Sequence, residues 1–73
     1  MRLQEIRKSK GETQQQLAES IDVAINTIQK TEQGYRLPSD PIKIKIAKHY
    51  DLPVGYIFFD DPITHSNKKE VIN

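Results

Sequence analysis

The stretch QQQLAESIDVAINTIQKTEQ, Gln14 to Gln33, decides how this chain folds. Leu17, Ala18 and Ile21 recur at the spacing of one helical face, and Asp22-Val23 interrupts that rhythm. The rhythm resumes with Ile28 inward and Thr31 on the same stripe. Two helices of about eight residues, joined by a turn of roughly three or four, therefore lie across one another. The position at the crossing has to be small, and Ala18 occupies it. Leu17, Ile21, Val23 and Ile28 are spaced to bury the angle between the helices. Thr13 fixes the start of the first helix through a capping box: its hydroxyl accepts from the backbone N–H of Gln16, whose side chain reaches back. The second helix is left with a polar outer face of Asn26, Thr27, Gln29, Lys30 and Gln33.

Working outward, Leu3 and Ile6 share one face of an earlier helix that Gly11 stops. Gly34 suits a left-handed C-cap, and Leu37, placed before Pro38, is pushed out of helical dihedrals, so Tyr35 to Pro38 reads as a loop. Ser39 can cap a fourth helix with Pro41 tolerated in its first turn; Ile42, Ile46, Ala47 and Tyr50 form its inner stripe and Ile44 lies off it. Val54 to Phe59 reads as a short helical stretch, with a strand as the competing reading of this β-prone run. Connections this short leave no room for a sheet of any size. The sequence therefore predicts an all-α fold, a compact bundle of five short helices over residues 1–59, followed by a polar tail at 60–73.

The composition, 36% hydrophobic and 29% charged, suits one soluble globular domain rather than a disordered chain. No apolar run approaches the ~20 residues of a membrane span, and no N-terminal segment reads as a secretory signal. Without cysteine there are no disulfides and no thiolate metal sites, in keeping with a reducing cytoplasm. The net charge of +1 hides an asymmetry: residues 1–50 hold nine basic against six acidic side chains, and residues 51–73 hold two against four. A phosphate-binding face belongs in the first part. His49 and His65 have no neighbouring ligand set, and no nucleophile–base or paired-carboxylate arrangement stands out. The sequence points to a binding protein that is not an enzyme and needs no cofactor.

The pattern Thr13-Gln14-x-x-Leu17-Ala18, then Ile28-x-x-x-Glu32-x-Gly34-x-x-x-Pro38-Ser39, then Ile46-Ala47 resembles the helix-turn-helix domain shared by phage repressors, Cro-like proteins and xenobiotic-response-element-type regulators. The resemblance covers roughly residues 3 to 59. It implies that the helix from about Ala24 to Gln33 enters the major groove of DNA, where Ile25, Asn26 and Lys30 match base-contacting positions. Asn can bond an adenine edge, Lys can donate to guanine, and Ile25 can pack on a thymine methyl. Gln14 matches a phosphate-binding position; Thr27, Gln29, Arg36 and Lys43 are the further candidates for phosphate. Arg7 and Glu32 match a structural ion pair that ties the first helix to the third. Three residues depart from the pattern: Asp22 stands for a turn glycine, Ala24 for a capping Ser or Thr, and Thr31 for a larger aliphatic residue.

The resemblance implies a sequence-specific, double-stranded DNA-binding transcriptional regulator of the repressor kind. A protein-interaction module on the same fold and the DNA-binding antitoxin of a toxin–antitoxin pair are the alternatives. One such helix reads only a few base pairs, so a homodimer on a palindromic operator is expected. Tyr56, Ile57, Phe58 and Phe59, four bulky residues in a row, are the candidate interface, with closure of the core by Ile57 and Phe58 as the other reading.

Overall fold

The computed structural model describes residues 1–62 of the chain. Its elements are α1 (Leu3–Ser9), α2 (Gln14–Ser20), α3 (Ile25–Glu32), α4 (Asp40–Tyr50) and α5 (Val54–Phe58). The fold is all-α, and Val54 to Phe58 is helix rather than strand. Of the expected tail, residues 63–73 lie outside the described residues.

The helices are short, so their ends matter as much as their middles. At the start of α2 the capping box is complete: the Gln16 N–H donates to Thr13 Oγ1 at 3.0 Å and the Thr13 N–H donates to Gln16 Oε1 at 2.8 Å. Ser39 holds the N-cap position of α4 but makes no side-chain cap hydrogen bond, contrary to expectation; Asp40 supplies the acidic side chain of that first turn, and Pro41 sits within it.

At their C-termini α1 to α4 share one device. Each is followed by a residue of positive φ: Gly11 (68°), Asp22 (60°), Gly34 (82°) and Asp51 (57°). The next N–H then turns back onto the helix, as from Val23 to Ala18 O at 2.9 Å and from Tyr35 to Lys30 O at 3.1 Å. Glycine takes this conformation freely. Aspartate is among the few other residues that take it at modest cost, which explains how Asp22 serves in the turn between α2 and α3.

Every helix contributes to one core: Leu3 and Ile6, Leu17 and Ala18 with Ile21 just beyond α2, Ile28, then Ile46, Ala47 and Tyr50, and finally Ile57 and Phe58. Burying each of the larger of these side chains stabilises the fold by roughly 1.5–3 kcal/mol. Val23 and Ile42 are half-buried at its edge, and Ile44, off the stripe, is exposed. The N-terminus and α5 are clasped together. The Arg2 N–H donates to Ile57 O at 2.7 Å, while the Arg2 guanidinium lies 4.3 Å from the Tyr56 ring centroid and donates to Tyr56 O at 2.8 Å and Asp61 O at 3.2 Å.

Candidate nucleic-acid interface

α3 is built with a fixed inner side and a free outer one. On the inner side Ile28 is fully buried, and Thr31, 2% exposed, satisfies its hydroxyl by donating to Thr27 O at 2.7 Å. The helix starts without a side-chain cap, since Ala24 has no acceptor to offer, at a cost of about 1 kcal/mol relative to Ser or Thr.

What holds its far end is an ion pair. Glu32 accepts two hydrogen bonds from the Arg7 guanidinium, from Nε at 2.7 Å and from Nη2 at 3.1 Å, and the two side chains are only 2% and 7% exposed. Arg7 Nη1 donates further to Glu12 O at 2.6 Å. This bidentate contact raises the Arg7 pKa above its usual value, the hydrogen bond outweighing the opposing effect of burial. The Arg7–Glu32 pair, which the family resemblance implies, joins α1 to α3 as a buried, charge-assisted contact.

The outer side presents Ile25, Asn26 and Lys30, all exposed, with Thr27 and Gln29 half-buried beside them. Asn26, Thr27 and Lys30 meet Arg36 along a cleft of about 360 Å³ between α3 and the loop to α4, walled on the far side by Leu37, Pro38, Ser39 and Ile42. Two cations and no acidic side chain line it. Lys43 is not with them. Its ammonium lies 3.4 Å from Asp40 and 5.2 Å from the Phe59 ring centroid, and its side chain is 14% exposed. Gln14 is half-buried, its Nε2 donating to Glu32 Oε1 at 3.0 Å.

An outward polar helix, packed against a second helix and reached through a left-handed turn, is the arrangement by which a helix-turn-helix unit presents its second helix. Compared with known families, residues 3–57 match the helix-turn-helix family. The chain belongs to that family. It is also similar to the HTH-type transcriptional regulator ImmR of Bacillus subtilis (strain 168), 28% identical over 72 residues. That match covers 99% of this chain and 57% of the relative, so the chain spans little more than half the relative's length. No solved structure gives a significant match.

Within this helix-turn-helix protein, two groupings had no signal in the sequence. Glu12, between α1 and α2, accepts from the Tyr50 hydroxyl and lies 2.8 Å from His49 Nε2, joining that loop to the end of α4. Burial and the hydrogen bond to Glu12 push the Tyr50 pKa far above its ordinary value. The second is the placing of Lys43 against the Phe59 ring. Of the four candidate interface residues, Ile57 and Phe58 are buried in the protein's own core, Tyr56 is half-covered and Phe59 is 51% exposed. The interface expectation is thereby corrected for Ile57 and Phe58, which have no surface left to offer. No described helix is long and apolar enough to cross a membrane.

Proposed function

We propose that this helix-turn-helix protein binds double-stranded DNA in a sequence-specific manner and regulates transcription as a repressor, with α3 in the major groove. One observation carries the reading: Asn26 and Lys30 stand on the outer side of a helix whose inner side is locked to the core, and they share an acid-free cleft with Arg36. In this reading Asn26 bonds an adenine edge, Lys30 donates to guanine and Ile25 packs on a thymine methyl. Thr27, Gln29, Gln14 and Arg36 meet the phosphates on either side, fixing register without carrying base information. The similarity to a transcriptional regulator supports the regulatory role. In this reading the protein works by binding alone and acts where DNA is accessible to it.

A homodimer on a palindromic operator completes the proposal, because a single α3 spans too few base pairs to find one site in a genome. Phe59 and Tyr56 are the surface left for the second copy, and the two α3 helices would stand about 34 Å apart, one turn of DNA. Selection of bound sequences from random duplex DNA tests the reading. The expected result is enrichment of a two-fold symmetric site, with affinity falling steeply as salt rises. Failure to enrich any duplex would instead favour a protein-interaction module. Sedimentation with and without Phe59→Asp tests the dimer, and a protein that stays monomeric even on DNA with two half-sites would refute it.

A further inference from the structure

We propose that Glu32 is a positioning residue for DNA affinity: it orients the Gln14 carboxamide so that one N–H is bound inside the protein and the other is presented to a backbone phosphate. The inference rests on the DNA-binding reading above and concerns how one of its contacts is prepared.

The chemistry of the acceptor fixes the geometry. An ionised carboxylate only accepts hydrogen bonds, so the group 3.0 Å from Glu32 Oε1 has to be the Gln14 nitrogen, with the carbonyl oxygen turned away. That nitrogen carries a second N–H in the amide plane, directed away from Glu32. Gln14 is half-buried while the Glu32 carboxylate is almost wholly enclosed, and the proposal assigns the second N–H to the outward side. A free glutamine samples many rotamers and loses them on binding; here that entropy is already lost in the folded protein. Arg7 makes the arrangement compatible with a phosphate. Its bidentate contact neutralises Glu32, which would otherwise repel the anion that Gln14 is to hold.

The test uses the full chain and a duplex obtained by selection, with its phosphates replaced one at a time by uncharged methylphosphonate. Gln14→Met should abolish the sensitivity at one phosphate and lower affinity by about tenfold. Glu32→Gln, melted in parallel to show that it is folded, should lose sensitivity at that same phosphate while selecting the same bases as wild type. Should Glu32→Gln fail to fold, amide spectra of the wild-type protein decide. One Gln14 Nε2 proton should resonate at low field and ignore added duplex, while its partner moves. Two Nε2 protons at ordinary side-chain amide shifts that both ignore added duplex, or a folded Glu32→Gln variant that keeps the phosphate sensitivity, would overturn the inference and leave DNA binding intact. Failure of the underlying reading looks different: no duplex is enriched and no phosphate matters in any variant, and the inference falls with it.

Discussion

Two acid–base pairs of this protein, one between helices and one within a single helix, share little beyond formal charge. Arg7 and Glu32 come from α1 and α3, meet through two hydrogen bonds and are closed off from water. Lys43 and Asp40 sit one turn apart on α4 at 3.4 Å, with the Asp40 side chain 87% exposed. Taking charges out of water is costly, so the buried pair stabilises little on net but is severely missed when halved. The exposed pair loses almost nothing when broken, because water replaces the partner. Here the difference has a functional side, since the buried pair fixes the helix assigned to the major groove and the exposed pair fixes only a surface lysine.

Breaking the buried pair should produce the largest effect. Arg7→Ala leaves Glu32 charged, enclosed and half-satisfied, and should destabilise the fold by about 3–5 kcal/mol. Glu32→Ala should cost a similar amount, and the double variant less than the sum of the two, as denaturant melts would show. Small additive losses would mean that the pair is solvated in solution.

The second prediction separates the inner tie of α3 from its outer face. Asn26→Ala and Lys30→Ala should each weaken binding to the selected duplex by about 1–3 kcal/mol and relax base preference locally. Their melting curves should stay at wild type, because both residues are exposed. A change in stability without a change in binding would reverse the assignment of faces.

A third outcome concerns the other buried tie, between Tyr50 and Glu12. The folded-state pKa of Tyr50 is raised above that of the unfolded chain, near the ordinary 10 of tyrosine. Its contribution is therefore complete below about pH 10 and declines as the unfolded chain begins to ionise, by about 1 kcal/mol for each further pH unit. Denaturant titrations of wild type and Tyr50→Phe between pH 9 and 11, a range flanking the ordinary tyrosine pKa of about 10, would isolate it: the variant should lack this part of the decline. Parallel pH profiles would show that the hydroxyl is not held as described.

The smallest effect closes the comparison. Asp40→Ala removes the partner of Lys43 and should change stability by less than about 0.5 kcal/mol, read from the same melts. A loss as large as that of Arg7→Ala would mean that burial does not govern the worth of these pairs.

What could be read beforehand was local. The capping box joins Thr13 to Gln16, a separation that one turn of helix closes by itself. The left-handed residues Asp22 and Gly34 declare themselves through backbone sterics within a few positions. The Arg7–Glu32 pair was legible for another reason, since it came with a pattern spread over many spaced positions. Ser39 shows the limit of local reading: it holds the cap position, yet its hydroxyl bonds no helix N–H.

The sequence by itself determined the first four helices of the described residues and which stripe of each turns inward, because helical periodicity and end signals act over single turns; for Val54 to Phe58 it left helix and strand open. It also marked the polar outer face of α3. Only the tertiary structure decided which polar groups meet across long separations. Glu12 with Tyr50, Lys43 with Phe59 and Gln14 with Glu32 come from different elements, and their contact depends on crossing angles set by the packed core. A side chain that can be satisfied equally by water or by a distant partner leaves no trace in local sequence, and folding alone makes the choice.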